Sequence, residues 1–554
     1  MKHSKKLHDD GLVYRDNKLV NYCCKDGTSF SDLEVVDKEI AEDTPIDAEG
    51  GLFFINYQVV NGAQDDAITV ATTRPETMFG DAAVMVHPSD ERYQHLIGKT
   101  VRIPVIHKEI PVIADEYVDV AFGTGAVKVT PLHDFNDFEV AKRHSLTGTQ
   151  VIGFDGKIMN TGTKYDGLRV IKARTELAKD LQLVVAQHKK VLKVCYKCGK
   201  TLEPLPKEQW FIKVRPLADK AKDAVEKGAI TIYPKRFKQV MLDWLDRFHD
   251  WNISRQIVWG IRVPAYKCVT SGEWFVSVNT PAACEKCGAC AFVQDEDTFD
   301  TWFSSSQWPF ATLKAQHNPE LFNYFYPTTV METGYDILPA WVVRMSMIGL
   351  YATGKVPFTN VYLHGMVRDK KGLKMSKSKG NVVNPLAMVE KYGADALRAT
   401  LVFQTTPGGD VNFAEDKIVG MRNFSNKLWN IGRLIKTYAD NAATPAEKPS
   451  TEAQEILKEL RNMHTELEKK VHKNMNTYQF ARVFDDMYEF VWHQFADVYI
   501  ERLKEPVRSG NIEVLEEMKK IFSVDLKLLH PFMPFVTEAV WKELYGEDTS
   551  VFDA

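Results

Sequence analysis

Between residues 50 and 190 the apolar residues fall in short runs broken by Gly, Pro and Asp: GLFFINYQVV, AAVMVH and VRIPVIHKEIPVIA. Such runs, rich in β-branched residues and bounded by turn formers, predict strands, and hence a compact β-rich domain with a few helices. From 230 to 400 the pattern changes. FTNVYLHGMV has the composition of a strand and PAWVVRMSMIGLYATG that of a helix, and their alternation predicts an α/β unit. Beyond about residue 415 the strand signals stop. Ile456, Leu460, Met463 and Leu467 recur at helical spacing, and YQFARVFDDMYEFVWHQFADVYIERL continues in the same manner. This predicts an α-helical bundle, with the polar stretch NAATPAEKPSTEA as a connection inside it.

At 554 residues the chain is too long for one hydrophobic core, so about three or four domains are expected. A hydrophobic content of 44% and a charged content of 26% place it among ordinary globular proteins and exclude a disordered or fibrous chain. The net charge of −4 excludes a generally basic coat for nucleic acid but leaves local patches open. No run approaches the roughly eighteen consecutive apolar residues of a membrane span. The opening MKHSKKLHDDGLVYRDNK has no apolar segment of the secretory kind, so a soluble, cytoplasmic protein is expected.

The eight cysteines are not scattered. Cys195 and Cys198 form a C-x2-C pair. Cys284, Cys287 and Cys290 form a tandem C-x2-C-x2-C, with Cys268 upstream. In a large cytoplasmic chain this spacing points to metal rather than to disulfides. CYKCGK and CEKCGAC both place a glycine after the second cysteine, where it lets backbone amides turn toward the thiolates. The 268–290 group supplies four candidate ligands for a structural zinc ion. The 195–198 pair needs two more; Cys23 is a candidate, but Asp26 stands where a second cysteine would be and breaks the pattern. Closed four-ligand sites of this kind are structural, not catalytic.

LKMSKSKGN, residues 373–381, sets three lysines and two serines in a loop closed by glycine. Ammonium groups on such a loop can follow a triphosphate as its charge shifts, holding the transition state more strongly than the ground state. In its context, YLHGMVRDKKGLKMSKSKGNVVNPLAMVEKYGADALR, the loop resembles the signature segment of class I aminoacyl-tRNA synthetases. Within that class the chain is similar to the valyl-tRNA synthetase family, through essentially all of its length. TTRPETMFGDAAVMVHP (72–88) and GTGAVKVTPLHDFNDFEVAKRH (123–144) look like that family's editing domain. WNISRQIVWGIRVPAY, DTWFSSSQWPF and RNFSNKLWN follow in the family's order.

The resemblance implies an α/β multidomain protein. Residues 1–45 would lead into the editing insertion, 46–190 would be the β-rich editing domain, and 411–554 the α-helical anticodon-binding bundle. Residues 191–410 would hold zinc-ribbon elements and the C-terminal half of the Rossmann-like nucleotide-binding fold. Lys374 and Lys377 would contact ATP phosphates, with Met375, Ser376 and Ser378 completing the loop and Mg2+ accompanying the nucleotide. Trp302, Ile337 and Trp341 would line the valine side-chain pocket, with Asp336 orienting the substrate. Here the chain departs from the family: Tyr335, Pro339 and Ala340 stand where histidine and two phenylalanines are usual.

An apolar pocket sized for valine cannot strongly reject threonine, a limit known from the valyl enzymes themselves. A second, hydrolytic site follows. By resemblance Asp137 anchors the ammonium of the mischarged ester, with Asp134, Lys128, Thr130, Phe122 and Arg74 in the same pocket; Lys128 and Thr130 would read the substrate hydroxyl or hold the terminal adenosine. Asp134 and Asp137 are three apart and would share a face of a helical turn. By itself HDFND is more often a helix start with capping aspartates.

The same resemblance implies that the H-x-G-H motif of the family lies outside these residues, since HLIGK at 95–99 lacks the second histidine. The far end, LLHPFMPFVTEAVWKELYGEDTSVFDA, would stop within the anticodon-binding helices. The expected partners are tRNA(Val), valine and a separately supplied N-terminal half, with no membrane. Two further functions are compatible with the motifs: a free-standing hydrolase of mischarged tRNA, and a non-catalytic tRNA-binding fragment.

Overall fold

In the computed structural model, which describes residues 2–39, 49–63, 66–289, 291–375, 380–441 and 448–553, the strand Val13–Cys23 pairs antiparallel with Glu203–Ile212. The register runs from Val13 opposite Ile212 to Tyr22 opposite Glu203. Thr28–Phe30 and Trp251–Asn252 flank the pair to make a four-stranded sheet. Trp251–Asn252 covers only Phe211 and Ile212, so among the described residues the outer edge of Glu203–Gln209 carries no partner strand. That free edge tolerates Pro204 and Pro206, which have no N–H to contribute to a ladder.

This sheet belongs to the first of two compact units, which comprises Met1–Asp223, Trp244–Pro319 and Pro339–Lys355. The chain leaves the sheet through Val35–Glu39 and returns through Val191–Cys195, and these two strands pair antiparallel. Between them lies a seven-stranded sheet. Its order is Val184–Gln187, Gly51–Val59, Thr100–Arg102, Glu109–Ala114, Ala83–Val86 and Ala126–Val129, with Ala67–Thr72 on the other side of Gly51–Val59. Only the pairing of Ala83–Val86 with Glu109–Ala114 is parallel. Gly51–Val59 explains why the sheet has one dry face: Ile55, Tyr57 and Val59 are buried while Asn56 and Gln58 between them are exposed. Phe79, Val84, Val112, Ile152 and Leu177 complete that core. Helices Phe135–Arg143 and Val170–Asp180 follow the later strands.

The same unit holds a small antiparallel sheet of Ala265–Cys268, Trp274–Val276 and Phe292–Gln294. Next to it in sequence, Asp300 caps the helix Thr301–Ser305 by accepting from the Trp302 N–H.

The second unit comprises Ala224–Asp243, Glu320–Leu338 and Val356–Ala554. Its sheet is parallel throughout, in the order Thr231–Tyr233, Phe358–His364, Thr328–Gly334. Long helices follow: Glu415–Asn441, Thr451–Asn476, Ile512–Leu529 and Pro534–Tyr545, with Phe480–Tyr488 running into a π-helical stretch, Glu489–Tyr499. They close on one core that includes Phe424, Leu428, Leu460, Phe484, Phe495, Phe522 and Val540. One position of the helical stripe is corrected. Met463 is 37% exposed, and the inward place goes to His464, whose ring nitrogens meet Asp525 Oδ1 at 3.0 Å and Glu468 Oε1 at 2.8 Å. A histidine with two carboxylate partners can occupy a buried turn that pattern reading assigns to an apolar side chain. Residues 442–447 of the polar connection 441–453 lie outside the described residues, and Thr451 already opens the next helix.

Candidate functional site

Asp137 lies in the first turn of Phe135–Arg143, behind the edge of the seven-stranded sheet, and is buried. Its Oδ2 accepts from the Thr130 N–H at 2.7 Å, the carboxyl's one hydrogen bond among the described residues. Burial, and then the neighbouring Asp134 charge, push the Asp137 carboxyl up to about 7. The spacing prediction for Asp134 is corrected. Asp134 stands at the N-cap with extended backbone, and its side chain accepts from Asn136 N at 2.8 Å and Asp137 N at 3.1 Å. It is the cap of the helix that carries Asp137, not its companion on a helical face.

Beside this turn Lys128, on the strand Ala126–Val129, and Thr130, directly after it, project onto Asp81, a fully buried residue that sequence reasoning missed. Lys128 Nζ lies 3.1 Å from Asp81 Oδ1 and 2.8 Å from Thr77 Oγ1, and it also bonds Thr130 Oγ1. Thr130 Oγ1 donates to Asp81 Oδ1 at 2.5 Å, and the Tyr57 hydroxyl donates to Oδ2 at 2.6 Å. Burial raises the Asp81 carboxyl against the pull of Lys128. The donors of Lys128 and Thr130 are thus turned inward; they hold the strand that presents the Thr130 N–H to Asp137. The one signal for Asp81 is an acid set directly before the apolar run AAVMV.

Arg74 caps the turn Pro75–Gly80 and is engaged on three sides. Its Nε pairs with Glu76 Oε1 at 3.2 Å, one terminal nitrogen donates to the His133 carbonyl at 3.3 Å, and the other pairs with Glu203. Glu76 in turn receives two hydrogen bonds of 2.8 Å from Arg174. Burial alone would raise the Glu76 carboxyl, but Arg174 and Arg74 hold it down at about 2. Arg74, Asp134, Arg174, Lys190 and Glu203 all line a cleft of about 1960 Å³ within this unit. Phe122 stands apart, 45% exposed, with its ring edge-on to His188.

Two groups of metal-binding side chains gather elsewhere in the unit. The donor atoms of Cys23, Asp26, Cys195 and Cys198 lie within 4.8 Å of one another, and so do those of Cys268, Cys284 and Cys287. Asp26, which breaks the sequence pattern, is therefore the fourth donor of the first group, with Oδ2 3.1 Å from Cys195 Sγ. The reason lies in the backbone. In each segment the glycine four residues after a cysteine returns its N–H to that cysteine's carbonyl: Gly27 to Cys23, Gly199 to Cys195, Gly272 to Cys268 and Gly288 to Cys284. All four glycines have φ between 66° and 75°, a left-handed conformation costly for other residues. C-x-x-D-G and C-x-x-S-G make the same knuckle as C-x-x-C-G, with Asp26 and Ser271 in the second position. Ser271 Oγ lies 3.3 Å from Cys284 Sγ. Both donor sets suit zinc in kind and spacing. Cys290 lies outside the described residues.

Trp302 and Trp341, both half-buried, are brought together in this unit: the Trp341 indole N–H donates to the carbonyl of Ser305, at the end of the helix that carries Trp302. Asp300 receives the Trp251 indole N–H at 2.8 Å and Arg255 at 3.0 Å, which fixes the start of that helix. Asp336 and Ile337 belong to the second unit, exposed and half-buried respectively. There Tyr335, the departure from the family pattern, donates its hydroxyl to Asp410 at 3.3 Å and stacks on Phe237.

The lysine loop of the second unit has a built stem. Asp369 accepts from the N–H groups of Lys371 and Leu373 at 2.9 Å and from Asn381 Nδ2 at 2.8 Å. Asn381 also donates to the Lys374 carbonyl at 3.3 Å, so the two ends of the loop are tied. Arg368 pairs with Asp410, which also accepts from Met366 N at 2.8 Å. A Cβ at Gly365 would lie 1.8 Å from the Gly409 carbonyl oxygen, so only glycine lets these segments meet. Lys374 is exposed and Met375 packs on the helical core. Ser376, Lys377 and Ser378 lie outside the described residues.

Comparison with known proteins matches residues 1–414 to the family described as tRNA synthetases class I (I, L, M and V). Residues 454–554 match the anticodon-binding domain of tRNA ligase. The chain is 43% identical over 547 residues to the valine–tRNA ligase of Symbiobacterium thermophilum, covering 97% of this chain and 59% of that protein. It is 42% identical to that of Syntrophotalea carbinolica, covering 98% and 61%. The chain thus spans about three fifths of the length of these relatives. Among solved structures, the Agrobacterium radiobacter K84 agnB2 LeuRS–tRNA–LeuAMS ternary complex matches with a TM-score of 0.52 at 18% identity, covering 99% of this chain and 73% of that one. That likeness bears on the fold.

Proposed function

Since the chain belongs to the class I tRNA synthetases (I, L, M and V), we propose that it acts as a valine–tRNA ligase, joining valine to tRNA(Val) with ATP and hydrolysing threonyl-tRNA(Val) formed in error. The observation that carries this reading is the buried carboxyl of Asp137, held by one hydrogen bond beside a polar cluster inside a β-rich insertion.

Asp137, when ionised, accepts the ammonium of the aminoacyl ester through a charge-assisted hydrogen bond. Thr130 N–H fixes one carboxylate oxygen and leaves the other for the substrate. Lys128, Asp81, Thr77 and Tyr57 keep the Thr130 strand in place. Water adds to the ester carbonyl, the bond to the ribose oxygen breaks, and that oxygen takes a proton, releasing threonine and free tRNA. No covalent enzyme intermediate is needed, because positioning against a labile ester suffices.

For the synthetic step, Lys374 with Met375, Ser376, Lys377 and Ser378 receives the ATP phosphates, accompanied by Mg2+. Trp302 and Trp341 supply apolar walls for the valine side chain. Zinc, when bound, supplies cross-links that stiffen the fold. Cys23, Asp26, Cys195 and Cys198 would hold one ion, and Cys268, Cys284 and Cys287 a second. No helix among the described residues is long and apolar enough to cross a membrane, and we place the enzyme in the cytoplasm.

The test is deacylation of threonyl-tRNA(Val) beside valyl-tRNA(Val) by the purified chain, with ATP–pyrophosphate exchange in parallel. Selective hydrolysis of the threonyl ester is expected. Equal hydrolysis of both esters, or of neither, would overturn the editing role. Valine-dependent exchange tests the ligase role, and exchange with another amino acid would reassign it.

A further inference from the structure

We infer that Glu203 is a positioning residue for the hydrolytic site, acting through Arg74 on the turn that carries Asp137. The inference rests on the editing reading above. Glu203 stands outside the inserted domain: it opens the strand Glu203–Ile212, opposite Tyr22, in the four-stranded sheet. Its carboxylate nevertheless pairs with Arg74, 129 residues away in sequence and part of the insertion.

The pairing belongs to an alternating row, Glu203–Arg74–Glu76–Arg174, in which two carboxylates balance two guanidiniums. Burial works against the charge of Arg74 and is outweighed by Glu203 and Glu76. With Glu203 in place, the remaining terminal nitrogen of Arg74 is directed at the carbonyl of His133. His133 is the residue before Asp134, the cap that starts the Asp137 helix. Its ring is buried and accepts from Val151 N at 2.9 Å. The turn is therefore held on the ring by Val151, on the His133 N–H by the Thr130 carbonyl at 3.1 Å, and on the His133 carbonyl by Arg74, and the last of these runs on to Glu203 outside the inserted domain.

Removing the Glu203 charge leaves Glu76 alone between two guanidiniums. Arg74 lines the large cleft and has a solvated alternative there. Its hold on the His133 carbonyl is then the bond given up, and the turn that carries Asp137 is left with the Val151 and Thr130 bonds alone. The apolar core beside it draws on Tyr22 and Leu205 but not on the Glu203 carboxylate, and Glu203→Gln keeps the side chain's size.

The experiment compares Glu203→Gln and Glu203→Asp with the unaltered chain, using threonyl-tRNA(Val) deacylation and amide hydrogen exchange. Glu203→Gln is expected to raise KM about tenfold with kcat within about twofold, the mark of weakened ammonium anchoring, while Glu203→Asp restores most of the affinity. Amide exchange at residues 133–138 is expected to quicken about tenfold in Glu203→Gln, with Ala83–Val86 and Ala126–Val129 unchanged. An unchanged KM, or exchange that rises uniformly through the domain, would overturn the inference. If the unaltered chain hydrolyses no aminoacyl ester, the editing reading falls, and the exchange at 133–138 alone then decides whether Glu203 holds the turn.

Discussion

Near neutral pH the Asp137 carboxyl is divided between its two protonation states, because burial and Asp134 raise it to about 7. Only the ionised form attracts an ammonium. As pH falls below that value, substrate must displace a proton, so the KM for deacylation should rise about tenfold per pH unit and level off above it. Asp137→Asn should hold KM at the high level throughout. A KM that ignores pH between about 6 and 8 would remove Asp137 from ammonium binding. Asp137 is marked by the resemblance alone; by itself HDFND reads as a capped helix start, and Asp134 is that cap. Asp81 was not legible, because its partners Tyr57 and Lys128 stand 24 and 47 residues away and its one local sign, an acid before an apolar run, does not name them. Asp26 was misread for a different reason. Pattern reading counts cysteines, whereas the knuckle needs only a donor before a glycine of positive φ, and an aspartate satisfies that.

Helices were easier to read than the contacts between them. The period of Ile456, Leu460 and Leu467 marks a buried stripe, and all three are buried. The close approach of Glu415–Asn441 to Pro534–Tyr545 leaves no such trace, since it depends on what Gly432 lacks. A Cβ there would lie 2.5 Å from Val540 Cγ1. Alanine in mid-helix gains roughly 1 kcal/mol over glycine, but displacing a fully buried valine costs about 1–3 kcal/mol. Gly432→Ala should therefore lower the stability of the bundle by about 1 kcal/mol, read as a fall in its urea midpoint. Adding Val540→Ala should cost less than the two single changes summed. A stabilised Gly432→Ala would show that the two helices are not in tight contact. The same limit applies to strands: GLFFINYQVV reads as a strand from its composition, but its partners Ala67–Thr72, Thr100–Arg102 and Val184–Gln187 depend on pairings that no local pattern encodes.

At the scale of the whole molecule, the lysine loop and the Asp137 cluster sit in different compact units, each with its own core. Substitutions that share no partner add independently. Lys374→Ala should accordingly abolish ATP–pyrophosphate exchange wherever the unaltered chain supports it, and leave threonyl-tRNA(Val) deacylation within about twofold. Deacylation that falls in step with exchange would contradict that division. The insertion has one more consequence, for the time course of synthesis. Val13–Cys23 leaves the ribosome well before Glu203–Ile212 exists. At about 5–20 residues per second the wait is roughly 10–40 s, with a strand edge unpaired. The inserted domain can gather most of its core in that interval, with the place of Leu205 left to the late strand, and its paired ends, Val35–Glu39 and Val191–Cys195, then deliver that strand to the early one. A substitution that slows folding of the insertion therefore lowers the yield of the sheet outside it in a growing cell, even when the purified protein shows no loss of stability.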